Sequence, residues 1–309
     1  MIVTLTPNPA LDRTLIVPGF RHADTTRVRE RHDAAGGKGL NVTRALVTLG
    51  ARCLAIAPLG GVTGAVIESL ATVEGLPLHP VAIHGETRTC LLITDPAAPD
   101  QLVVNEPGPS ISVAEWQALQ STVIATTRGA QWLTISGSLP PGVAPAALRA
   151  LIEAIPATCH VALDTSGAPL QACLGAPIAL LKINRDELSH ALDMPLTDIA
   201  TTISAARQLV ATGPRAVVIT LGARGALAVS ADGAWIVDAP AIVAVSPVGS
   251  GDCTLAGMVD ALSHDAPLAE ATVAGVACGS ANALAPRAGV FVLADVQRFC
   301  ANAHVQHLS

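Results

Sequence analysis

Short β-branched or aliphatic runs alternate with amphipathic helical patterns along most of this chain. No other feature constrains the fold so strongly. Strand-like runs include 2–6, 53–57, 132–136, 161–164, 178–183, 216–221, 226–230 and 235–237. Helical patterns include 39–49, 63–73, 113–127, 144–154, 201–212, 251–263, 268–284 and 293–303. Leu40, Ala45, Leu46 and Leu49 fall at helical spacing, whereas Val217, Val218 and Ile219 are contiguous, as in a strand buried on both faces. Strands separated by helices form βαβ units, so the pattern predicts an α/β fold: a mostly parallel sheet with helices on both sides. Ligands of such sheets sit at the carboxyl ends of the strands. Two segments, about 12–34 and 84–106, break the alternation, with strand-like runs at 87–93 and 102–104 and no crossover helix. They are expected to form one small discontinuous sheet covering a single domain over 1–309.

Half of the 309 residues are hydrophobic, enough for a large core. The net charge of −6, with Lys and Arg dispersed, argues against a nucleic acid or an anionic membrane as partner. Aromatic residues make up 2%, with no Tyr, which leaves almost no platform for stacking bases. Seven widely spaced cysteines without a C-x-x-C pair suit buried free thiols better than a disulfide framework or zinc site. The start of the chain lacks a basic n-region, and no stretch runs 18 apolar residues without charge, so neither a signal peptide nor a membrane span is expected. A cytoplasmic protein is the expectation.

Gly249-Ser250-Gly251-Asp252 lies between the run 241–245 and a helical pattern. Small residues ahead of a helix leave backbone N–H groups bare, and the helix end adds partial positive charge, which together make an anion cradle. A carboxylate there is repelled by phosphate, yet suits a base that deprotonates a hydroxyl attacking a phosphoryl group. An ordinary Gly-rich turn with an acidic N-terminal residue is the plainer alternative. Gly36-Gly37-Lys38-Gly39-Leu40-Asn41 is a second such turn, and it matches neither a Walker A loop nor the dinucleotide G-x-G-x-x-G.

Asp12, in the polar turn after the first strand, could accept hydrogen bonds from sugar hydroxyls or simply be an exposed turn carboxylate. Asn184 and Glu187 stand three apart across a helix start after Lys182. Their oxygens could hold Mg²⁺ through its waters, or could merely cap the helix. Thr220, Gly222 and Gly225 bound a turn that a nucleotide could lie against, or that is a plain hairpin. The loop 135–142, with Ser138, lacks the G-x-S-x-G of a serine hydrolase.

In this order, these segments resemble the ribokinase-like (phosphofructokinase B) carbohydrate kinase family over residues 1 to about 300. Gly36–Asn41 is similar to its first signature, Ser246–Asp252 to its second, and Asn184–Glu187 to its Asn-x-x-Glu element. The turn 6–12, with 135–142, resembles the hexose-phosphate branch: 1-phosphofructokinase, tagatose-6-phosphate kinase and the minor 6-phosphofructokinase. The two signatures look most like tagatose-6-phosphate kinases, whereas Pro58–Gly64 looks more like the phosphofructokinases.

The resemblance implies a three-layer sandwich with a β-sheet lid that pairs into a homodimer. It also implies ATP and Mg²⁺ as cofactors and a sugar phosphate as substrate. Asp252 would be the base and Gly249, Ser250 and Gly251 the anion hole. Asp12, Gly37, Asn41 and Ser138 would bind the sugar, with Lys38, Arg88 and Arg27 on its phosphate. Lys182, Asn184, Glu187, Thr220, Gly222 and Gly225 would line the nucleotide and metal side.

The second signature departs from the family's usual Asp-Thr with Ser246-Pro247, and Lys182-Ile183-Asn184 replaces Lys-Pro-Asn. Neither change removes a catalytic group; the first bears on nucleotide-side or monovalent-ion contacts. The expectation is conversion of fructose 1-phosphate to the 1,6-bisphosphate, with tagatose 6-phosphate or fructose 6-phosphate as alternative acceptors. Rivals are a kinase of an unphosphorylated sugar or nucleoside, a silent sugar-phosphate sensor and a Rossmann dehydrogenase. The cations Lys38 and Arg88, the intact base segment and the missing G-x-G-x-x-G weigh against them in turn.

Overall fold

A computed structural model of the chain describes residues 1–20, 25–95 and 101–308. Its first strand, β1 (Ile2–Leu5), sends Ile2 to one buried face and Val3 and Leu5 to the other. A strand that is apolar on both sides must be covered on both sides. It is flanked by parallel neighbours: β4 (Cys53–Leu59) and β5 (Leu78–Ala82) to one side, and β8 (Trp132–Ser136), β9 (His160–Asp164), β10 (Leu180–Asn184) and β11 (Ala216–Thr220) to the other. Three antiparallel strands extend that second side: β12 (Ala226–Ser230), β13 (Gly233–Val237) and β14 (Val305–Leu308).

Helices α1 (Lys38–Leu49), α2 (Gly61–Val73), α8 (Ser250–Ser263), α9 (Leu268–Ala283) and α10 (Leu293–Ala301) pack over Ile2, Ala55 and Val218. Helices α3 (Val113–Thr127), α4 (Pro145–Ala154), α5 (Gly167–Cys173), α6 (Arg185–Leu192) and α7 (Ile199–Thr212) pack over Val3, Leu5 and Ile219. The molecule therefore has the expected three layers. None of its helices, among the described residues, is long and apolar enough to cross a membrane. The seven cysteines are free thiols, five of them buried.

Four elements carry no clear sequence pattern. The edge strands β5 and β14 are mostly exposed and need no apolar run, and β5 contains Pro80. Helices α5 and α6 are short and bury only Leu170 with Cys173, and Leu188.

The second sheet is small and separate, in the order β3 (Glu30–Gly36), β2 (Ala10–Ile16), β6 (Arg88–Thr94), β7 (Gln101–Asn105). Strand β2 pairs antiparallel with β3 and parallel with β6, so the two separated pieces share one sheet. Residues 21–24 and 96–100 of the expected segments lie outside the described residues. Residues 6–9 join β1 to β2, so the small sheet rises from the carboxyl ends of the large one.

Candidate active site

The carboxyl ends of β1, β8, β9, β10 and β11 open into one cleft of about 1090 Å³, which the small sheet walls on its other side. Three helices begin there without a side-chain cap: α1 at Gly37, α5 at Ser166 and α8 at Gly249. By contrast α3, α6 and α7 start with capping boxes from Ser112, Asn184 and Asp198. Uncapped helix starts that face a cleft offer N–H groups and positive potential to an anion. Gly249 has a left-handed φ of 82°, and a Cβ there would lie 2.6 Å from that of Ala288, so only glycine fits. Within the cradle, Ser250 donates its N–H to the Pro247 carbonyl (3.2 Å).

Asp252, in the first turn of α8, is buried and accepts a hydrogen bond on Oδ2 from Asn41 Nδ2 at 2.9 Å. Asn41 comes from α1, 211 residues earlier, and the contact joins the two Gly-rich turns. Burial, reinforced by Asp164, pushes the Asp252 carboxyl up to about 6 against Lys38, Lys182 and the Asn41 hydrogen bond.

Asp164, the last residue of β9, is fully buried and binds two lysines: Lys182 Nζ donates to Oδ2 (2.6 Å) and Lys38 Nζ to Oδ1 (2.9 Å). Burial opposes its charge, but the two ammonium groups win and hold the carboxyl below its ordinary value. Burial likewise opposes the charge of Lys38, which Asp164, Asp252 and Glu187 outweigh, raising its pKa. Lys38 also stands 4.0 Å from Glu187 Oε1. The resemblance grouped Lys38 with Arg88, whereas the structure bonds it to Asp164.

Asp12, Gly37, Arg88 and Ser138, the residues expected to meet a sugar, all line the cleft. Asp12 is pushed above its ordinary value by burial, against the Gly37 amide, Arg44 and Arg88. Ser138 Oγ accepts from Asn8 Nδ2 (3.3 Å), and Arg88 donates to the carbonyls of Asn8 (2.8 Å), Glu106 (2.9 Å) and Pro9 (3.4 Å). Arg27 is exposed between β2 and β3 and does not line the cleft, because its segment leaves the small sheet.

Asn184 and Glu187 form a full capping box on α6, the plainer of their two expected arrangements. That leaves Glu187 Oε1 facing Lys38 at the cleft. No cage of three or more His, Cys, Asp or Glu side chains stands among the described residues. One carboxylate oxygen left over from the capping box fits a Mg²⁺ ion that keeps its waters and leans on phosphates. Thr220, Gly222 and Gly225 sit on the β11–β12 hairpin, a turn that also lines the cleft.

Asp164 escaped the sequence reading. Its one signal was a charge at the end of the buried run Val161-Ala162-Leu163, where ligands gather. The Asn8 link had no signal.

A buried carboxylate, two lysines and a bare helix start at the strand ends of an α/β fold are the parts that phosphoryl transfer to an alcohol group needs. The chain matches the model of the pfkB family carbohydrate kinases over residues 8–292, and it belongs to that family. It is 35% identical to the 1-phosphofructokinase of Xanthomonas campestris pv. campestris over 85% of each chain. It is 36% identical to the ATP-dependent 6-phosphofructokinase isozyme 2 of Escherichia coli over 92% of each. The crystal structure of phosphofructokinase-2 from Escherichia coli in complex with potassium superposes with a TM-score of 0.93 at 34% identity, covering 97% of this chain and 98% of that one.

Proposed function

We propose that the chain transfers the γ-phosphoryl group of ATP to the free primary hydroxyl of a ketohexose monophosphate. Fructose 1-phosphate is the preferred acceptor in this reading, with tagatose 6-phosphate or fructose 6-phosphate the alternatives. One observation carries it: Asp252 lies buried at a bare helix start, with two lysines beside it and, among the described residues, a side-chain donor on only one of its oxygens. Relatives named for 1-phosphofructokinase and 6-phosphofructokinase support the substrate class.

In the proposed mechanism the sugar lies against Asp12, the Gly37 turn and Ser138, with Arg88 on its phosphate. Asp252 takes the proton of the attacking hydroxyl. Lys38 and Lys182, already oriented by Asp164, and the amides of Gly249 and Gly251 stabilise the negative charge on the transferred group, the Ser250 N–H being spent on the Pro247 carbonyl. Mg²⁺ arriving with ATP would rest on Glu187 through water and withdraw charge from the phosphate oxygens. A cytoplasmic location and a homodimer paired through the small sheet complete the reading.

The test is ADP release in a coupled assay with fructose 1-phosphate, fructose 6-phosphate and tagatose 6-phosphate, with Asp252→Ala as control. We expect turnover that favours one substrate and is lost in the variant. Absence of turnover with all three would overturn the reading in favour of a neutral-sugar kinase or a silent sensor.

A further inference from the structure

Arg44 lies one turn beyond Asn41 on α1, and it is buried (7% exposed) under the site without lying at the reacting centre. Its guanidinium is held from four directions. It donates to Glu74 Oε2 (2.6 Å), to the carbonyls of Ala35 (2.6 Å) and Ala288 (3.4 Å), and to Asn41 Oδ1 (2.9 Å). Glu74, at the end of α2, is shared with Arg287 (3.3 Å). A guanidinium has donors only, and an amide has one accepting and one donating end. Arg44 therefore selects the carbonyl end of Asn41 and turns the NH₂ end onto Asp252 Oδ2. Were the amide reversed, N–H would meet N–H, and a carbonyl oxygen would face the carboxylate.

The turn at 288–289 closes over the same group. A Cβ on Gly289 would lie 3.0 Å from the Asn41 backbone carbonyl and 3.1 Å from Arg44 Nη1, and Ala288 abuts Gly249.

We infer that Arg44 is a positioning residue: by fixing the orientation of the Asn41 amide it keeps Asp252 Oδ2 bonded and leaves Oδ1 to receive the substrate's proton. The inference rests on the phosphotransfer reading for its consequence in catalysis, though not for its geometry. The groups facing Asp252 are Lys38 and Asn41 from α1, Asp164 from β9 and Lys182 from β10. Arg44 acts on it through Asn41.

The test follows the Asp252 carboxyl directly, in protein labelled with ¹³C at the Asp carboxyls, the resonance being assigned by its loss in Asp252→Asn. Arg44→Lys retains charge for Glu74 but cannot reach all four acceptors in one plane. We expect its Asp252 titration midpoint to rise by about one pH unit, the effect of losing one hydrogen bond to a carboxylate. The acid limb of kcat should move with it, so that turnover falls about fivefold near pH 6 and about tenfold well below it, while KM for ATP stays near wild type. Asn41→Ala should give the same rise, and the double variant no more than either single one. A merely structural role would leave the midpoint in place or make the two effects additive, and either result overturns the inference. If Arg44→Lys does not fold, Glu74→Gln loosens the same guanidinium; an unmoved midpoint there also overturns it. Wild-type protein that turns over none of the sugar phosphates would sink the functional reading instead, while the carboxyl titration still decides the role of Arg44.

Discussion

A carboxylate that accepts protons near neutrality is unfavourable as an anion, and Asp252 is kept so by burial and by Asp164. Two consequences separate in measurement. In the proposed role, kcat should fall as pH drops below about 6, where Asp252 protonates. Asp252→Asn should lose roughly two to four orders of magnitude in turnover, the range for removing a positioned base. Stability should respond in the opposite sense. The folded chain binds this proton more tightly than the unfolded chain, so the group costs stability above about pH 6 and the cost fades as pH falls toward the ordinary value of 3.8. Asp252→Asn should therefore be more stable than wild type at pH 8, by about 1–3 kcal/mol, and the gain should shrink at pH 5. Thermal melts at the two pH values check this; a variant less stable at pH 8 would show that the charge is not being held at a cost.

At the scale of elements, the site depends on where β9 and β10 end. The parallel register that pairs Leu180 with Ala162 puts Lys182 beside Asp164, and α1 brings Lys38 to the same carboxylate. Removing the acid leaves Lys182 buried without its partner. Asp164→Asn should cost about 3–5 kcal/mol in urea unfolding, the usual result of breaking a buried ion pair from one side. Because the lysines hold Asp164 below its ordinary value despite burial, its contribution is present above about pH 4 and lost as pH falls further. A change under 1 kcal/mol would mean that the lysines rearrange or neutralise. Helices and central strands were legible because each buries a periodic face. The pairing of Asp164 with two lysines was not, since no local pattern says which charges meet across a parallel sheet.

At the scale of the whole molecule, the small sheet leaves apolar side chains uncovered: Leu102, Val103 and Val104 of β7 are 37%, 53% and 44% exposed. If this sheet pairs with a second copy, light scattering should report a dimer for the wild type and a monomer for Val103→Glu; a wild-type monomer at micromolar concentration would refute the pairing. The sequence by itself determined the layers, the small discontinuous sheet and the two Gly-rich helix starts, because alternation, helical period and glycine placement act over a few residues. It also pointed to Asp252, whose surroundings in the chain already resemble an anion cradle. Only the tertiary structure decided that Lys38 belongs to Asp164, that Asn184 and Glu187 cap α6 while lining the cleft, that Arg27 lies outside it, and that Arg44 reaches Asp252 through Asn41. Those are contacts between residues as much as 211 positions apart, set by strand order and helix packing.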